Sequence, residues 1–200
     1  ANATFEGTVT VVDTLWNSVN ARPTLTINGT LTNNGSILSD NGGLGGWIGL
    51  KVNSDVSNYG IVSAAGEMSI VGVITNHGVW SPARTVVTGN IVNNSKWAST
   101  VTVFTGSADQ HIALADTGIF SGSNFNTAKS SGSLVADTDL RFKGTDFNLS
   151  NGRLVIPGQR KVIFTGCTLD STVIETTDGA VHVVGGEVKR GVHLKNVFIE

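Results

Sequence analysis

Residues 71–80 read VGVITNHGVW, and the way Asn76-His77-Gly78 is taken decides the fold. Asn and Gly both tolerate positive φ, so between β-branched runs the triplet reads as a corner of the chain. The competing reading makes His77 a ligand or a catalytic base. A corner should recur along the chain, and this one does. With Asn33, Asn58, Asn76 and Asn93 as anchors, the residues four further on are Ile37, Val62, Trp80 and Trp97. Two before them stand Leu31, Val56, Ile74 and Ile91, and six before them Ile27, Val52, Ile70 and Val87, every one apolar. Eight before come Leu25, Leu50 and Met68, with Thr85 as the exception. Two after come Gly35, Gly60, Gly78 and Ser95. The slot beside the anchor holds Asn34, Tyr59, His77 or Asn94, so nothing at that position requires an imidazole. His77 therefore reads as a corner residue.

The anchors are 25, 18 and 17 residues apart, and Gly106 follows Gly89 at 17 again, with Phe104 in the slot of Val87. Helical periodicity is nearly absent, while Thr, Val and Ile alternate between Gly, Asn, Ser and Asp. A period of roughly 20 residues holding two or three short strands is that of a solenoid whose coils stack. Adjacent coils lie about 4.8 Å apart, so equivalent Leu, Ile and Val side chains form columns that bury apolar area no single coil could bury. The fold predicted is an all-β parallel β-helix of about nine to ten coils, a single domain over residues 1–200 and a rod roughly 45 Å long. The widest anchor gap contains DNGGLGGW (Asp40 to Trp47) and predicts a loop insertion near 38–48. That loop echoes a calcium-binding nonapeptide, but Gly46 stands where a ligand aspartate is needed. The stretch Gly118 to Gly132 predicts an irregular coil near 118–133. Order resumes at LRFKG, VIFTG and VHVVGG, matched by Gly144, Gly166 and Gly186.

Composition narrows the function. Only 14% of the 200 residues are charged and the net charge is −2, a balance that argues against nucleic acid and anionic membrane surfaces as partners. No apolar run is long enough for a membrane-spanning helix. The single cysteine, Cys167, excludes an internal disulfide framework and a thiolate metal cluster, and no metal or cofactor is expected. Neither terminus carries a recognisable cap, and LKNVFIE stops in mid-coil. The expectation is a segment of a longer chain, or a rod that associates end to end.

The stretches TLTINGTLTNNGSI (Thr24 to Ile37), FTGSADQHI (Phe104 to Ile112) and FNTAKSSGSLVADTDLRFKGTDFNLSNGRLVI (Phe125 to Ile156) resemble β-helical repeats of large secreted bacterial surface proteins. The second and third are most similar to repeats of the Bacteroidetes, exported by the type IX route. The resemblance covers residues 24 to 166. It implies a right-handed β-helix, a secreted or cell-surface address, and a non-catalytic role as adhesin, stalk or matrix filament, with self-association or cell-surface glycans as partners. Where the family has QTI, this chain has Gln110-His111-Ile112.

Each candidate for chemistry stands beside a plainer reading. Asp137, Asp139, Arg141 and Lys143 alternate with Thr138, Leu140 and Phe142, which places them on one strand face. Asp137 and Asp139 are the carboxylate pair that a polysaccharide lyase or glycosidase of this architecture would need, and the plain reading is a solvated face. His182, Glu187 and His193 would hold a metal only if their coils brought them together. Trp80 and Trp97 share one column. Facing outward with Trp47 they would make a sugar-binding platform, and facing inward, as Ile37 and Val62 in that column suggest, they would be core. Under the Bacteroidetes resemblance, Asp13-Thr14-Leu15 and Asp170-Ser171-Thr172 make Thr14 and Ser171 candidates for O-glycosylation. Asn2, Asn28, Asn34, Asn93 and Asn148 stand in Asn-x-Ser/Thr triplets.

Overall fold

The computed structural model describes residues 2–17, 23–39, 48–64, 66–115, 117–122, 124–150, 152–196 and 198–199. Among them the chain forms thirty short strands, sorted into three parallel sheets of ten strands each. Every coil gives one strand to each sheet: Glu67–Ile70, Ile74–Asn76 and Val79–Trp80 make one coil, and Arg84–Val87, Ile91–Asn93 and Lys96–Trp97 make the next. The predicted solenoid is the observed fold, ten strands deep.

The apolar columns are those expected. In the first sheet Phe5, Ile27, Val52, Ile70, Val87 and Phe104 lie in successive register. In the second sheet Val9, Leu31, Val56, Ile74, Ile91 and Ile112 do so. The third sheet stacks Leu15, Ile37, Val62, Trp80, Trp97 and Phe120, and resumes with Phe142, Phe164 and Val183. One continuous core runs from Ile27 to Val181. Because strands of successive coils are parallel and in register, a side chain that points inward on one coil points inward on all of them.

The anchor asparagines are not there for positive φ. Asn33, Asn58, Asn76 and Asn93 are fully buried strand residues. Asn33 Nδ2 donates to Asn58 Oδ1 at 2.7 Å, Asn58 Nδ2 to Asn76 Oδ1 at 2.7 Å, and Asn76 Nδ2 to Asn93 Oδ1 at 2.8 Å. Each amide also donates to a main-chain carbonyl of the next coil, that of Ile61, Val79, Lys96 and Ile119 respectively. An amide has two donors and an acceptor, which lets it accept from the coil before and donate to the coil after. The ladder ends where the column turns apolar, at Val11 below and Leu114 above. Asn33 Oδ1, facing Val11, is buried without a partner among the described residues.

The neighbouring glycines also answer to stacking. A Cβ on Gly60 would stand 1.9 Å from the Gly35 carbonyl oxygen, and one on Gly78 would stand 2.0 Å from that of Gly60. Neither glycine has positive φ. Successive corners sit so close that backbone touches backbone, and only glycine leaves room.

Beyond Trp97 the build changes. The expected irregular coil near 118–133 is instead regular: Asn124–Lys129 pairs along its whole length with Val101–Gly106. The period lengthened there, which hid the repeat. Asn124 sits on Val101, Leu134 on Gln110 and Phe142 on Phe120, steps of 23, 24 and 22 residues, before the step falls back to 20 where Leu154 sits on Leu134. Its corner from the third sheet back to the first uses glycines of positive φ, Gly122, Gly144, Gly166 and Gly185, at 63°, 58°, 60° and 55°. Gly185 rather than Gly186 therefore completes that series. Residues 40–47 of the predicted loop insertion lie outside the described residues.

Candidate functional site

Trp80 and Trp97 point inward and are fully buried, so neither can offer a face to a sugar. Their rings stack at 5.4 Å, and each indole N–H donates to a threonine five residues on, Trp80 to Thr85 at 2.9 Å and Trp97 to Thr102 at 3.1 Å. That pairing explains why Thr85 interrupts an apolar column: a buried indole needs an acceptor. Trp47 lies outside the described residues. Above Trp97 the core continues in phenylalanine. Phe120, Phe142 and Phe164 stack on one side, Phe125 and Phe147 on the other, and the two stacks meet edge to face at 78° to 84°.

His77 faces solvent, lies flat on Tyr59 at 4.8 Å, and accepts a hydrogen bond from the Asn94 amide at Nδ1, 3.2 Å away. These are three successive members of the slot beside the anchor, one polar column along the outside. Asp137, Asp139, Arg141 and Lys143 do not share one strand face. The strand begins at Leu140, and the two aspartates occupy the corner before it. Asp137 pairs with His111 across the coils at 2.7 Å. Asp139 accepts the main-chain N–H of Lys161 at 2.7 Å. Asp55, Asp109 and Asn90 do the same for Val73, Ser133 and His111. A carboxylate or amide before a strand thus holds the amide of the next coil, a structural task that accounts for Asp139. Arg141 donates to the Ala115 and Gly118 carbonyls.

His182, Glu187 and His193 belong to the third, first and second sheets and do not converge. Among the described residues no group of three His, Cys, Asp or Glu side chains is placed to hold a metal. Thr14 is exposed, with its hydroxyl 3.3 Å from Asp13 Oδ1. Ser171 is half-buried at a positive φ of 47° and donates to Asp170. Asn93, one of the Asn-x-Ser/Thr residues, is buried in the ladder and closed to modification. Cys167 is buried in the core, and burial pushes its thiol pKa up, which makes it a packing residue rather than a nucleophile.

Three features had no counterpart in the sequence reading. Lys129 is 5% exposed, and its ammonium donates to the Ala108 carbonyl at 2.7 Å and Gln110 Oε1 at 2.8 Å. Gln110, itself buried, donates onward to the Val87 and Gly89 carbonyls. Burial lowers the Lys129 pKa, and the nearby Asp109 charge acts against that shift. At the first coil an apolar hollow of about 530 Å³ opens between Phe5, Val9, Val11, Leu15 and Leu25.

On the outer face of the first sheet a shallow polar cleft of about 210 Å³ is lined by Asn124, Asn126, Asp146, Asn148, Thr168, Asp170 and Lys189. Register sorts these into two columns. Asn124, Asp146 and Thr168 form one, which Glu187 continues beyond the cleft, and Asn126, Asn148 and Asp170 form the other. Lys189 Nζ lies 4.0 Å from Asp170 Oδ2. Asn124, Asp146 and Asn148 of this cleft are exposed to solvent. The signal for it is Asn-x-Asn, Asp-x-Asn and Thr-x-Asp at 22-residue intervals, legible only once the longer period is known.

Comparison with protein-family models, with curated proteins and with solved structures finds no match.

Proposed function

We propose that this chain is a structural and adhesive module of a secreted bacterial surface protein, working by length, stiffness and repeated outer faces rather than by turnover. The observation that carries this reading is the continuity of the third-sheet column from Leu15 to Trp97 and on through Phe164 to Val183, one side chain per coil. Such a core gains stability with every coil added and has no natural limit in length. The secreted address and the adhesive role rest on the resemblance of residues 24–166 to surface-protein repeats.

Negative-stain imaging of the purified chain tests the rod: isolated rods or end-to-end filaments are expected, and compact globules would overturn it. Incubation with common polysaccharides should release no reducing ends or unsaturated products. Asp139→Asn keeps an acceptor for the Lys161 amide and so preserves the fold. Release by the wild type that this variant abolishes would replace the structural reading with an enzymatic one.

A further inference from the structure

We propose that the polar cleft on the first sheet binds a neutral polysaccharide strand laid along the rod axis, one pyranose ring per coil. The inference names the partner of the adhesive module and rests on that reading of the chain.

The cleft is local to this part of the rod. On the two coils just before it the same outward columns carry Val86 and Val103 in one, and Arg84, paired with Glu67, and Val101 in the other. From Asn124 onward both columns turn to amides, carboxylates and a hydroxyl. Packing consumes only part of these groups: Asn148 Oδ1 accepts the Ser150 N–H at 3.3 Å, and Asp170 accepts from Ser171 and pairs with Lys189. The Asn124 and Asn126 amides and the Asp146 carboxylate make no side-chain hydrogen bond among the described residues. Amides offer two donors and an acceptor and carboxylates accept only, a mixture matched to hydroxyls, which both donate and accept.

Spacing sets the direction. Equivalent residues repeat about every 4.8 Å along the axis, close to the length of one pyranose unit in an extended chain. A glycan on this face would meet Asn124 and Asn126, then Asp146 and Asn148, then Thr168 and Asp170, then Glu187 and Lys189, in four successive coils. Charge sets the class. Asp146, Asp170 and Glu187 outweigh Lys189, so a polyuronate or sulfated chain is repelled while a neutral one is not.

Calorimetric titration of the whole chain with neutral gluco-, manno- and xylo-oligosaccharides of two to six units, and with tetragalacturonate, tests the inference. At least one neutral series should bind saturably, with affinity rising to four units and then levelling. Asn126→Ala/Asn148→Ala should weaken it about tenfold or more, the loss of one or two hydrogen bonds, while the thermal melt stays at the wild-type temperature. Absence of binding by every neutral series overturns the proposal. So does binding that survives the double substitution, or tetragalacturonate binding as tightly as the neutral chains. Rods seen by negative stain without glycan binding defeat this inference alone. Sugar release defeats the reading beneath it.

Discussion

Between Asn33 and Trp97 the coils are tied by a buried ladder of amides and filled with Ile, Val, Leu and Met. Between Phe104 and Phe164 the ladder is gone and two interlocking stacks of phenylalanine fill the interior. The first build is directional. Each amide must lie within hydrogen-bond reach of the next, so the second-sheet strands and the corner after them repeat without insertion. The 25-residue step from Asn33 to Asn58 accordingly takes its extra length in sequence after the third-sheet strand Ser36–Ser39 and before Gly49–Val52. The second build is not directional. Strands there lengthen to as many as six residues and coil steps to as many as 24, and large side chains fill the interior. Aromatic rings supply the volume, and edge-to-face contact supplies specificity without any hydrogen bond.

The largest effect expected is in the phenylalanine half. Phe142 touches Phe120, Phe125, Phe147 and Phe164, so Phe142→Ala should cost about 3–5 kcal/mol, measured by urea unfolding. A cost near that of an exposed substitution would mean that the rings do not hold this half together. In the half tied by the amide ladder Gly60→Ala should cost about 3 kcal/mol, because backbone must move to admit the methyl group. Gly144 has open space around it and needs only a left-handed backbone, so Gly144→Asn should be tolerated where Gly60→Asn is not. Equal sensitivity of the two sites in thermal melts would erase the distinction between the corners.

Asn76→Ala removes a middle rung and leaves Asn93 Oδ1 and the Lys96 carbonyl short of a donor, at about 1–3 kcal/mol. Asn93→Ala, at the end of the ladder, should cost less. The reverse order would show that the ladder is not a chain of mutually dependent bonds. The smallest effect concerns Lys129, at the junction of the two halves. Its folded pKa lies below the ordinary lysine value of 10.5, so between those two values the unfolded chain holds more protons than the folded one. Stability contributed by this group therefore rises with pH through that window. Cys167, whose folded pKa is raised above 9.0, tilts the other way, its contribution falling as pH rises past that value. Lys129→Met should remove the rising component from a pH series of unfolding free energies, and an unchanged difference between variant and wild type across that range would place the ammonium in water.

The fold was legible because column identity is a property of the chain itself: Ile27, Val52, Ile70 and Val87 are spaced so that only stacking makes sense of them. Phe104 was legible in the same way. The aromatic stacks were not, although Phe120, Phe142 and Phe164 repeat at 22 residues as do Phe125 and Phe147, because a period fixed at 17 or 18 passes over them. Asp137 and Asp139 were placed on a strand by their alternation with Thr138 and Leu140, but alternation does not distinguish a strand from the corner that leads into it. His182, Glu187 and His193 looked close in sequence, and three sheets facing three ways hold them apart.

Amino-acid order alone determined that this chain coils, stacks and buries the same column on each turn, since apolar periodicity and coil spacing are local quantities. Only the tertiary structure decided what the recurring Asn and Gly are for. Both are residues at home in turns, and both are explained here by the coil above and the coil below: an amide that needs a neighbour 3 Å away, and a backbone that leaves no room for a Cβ.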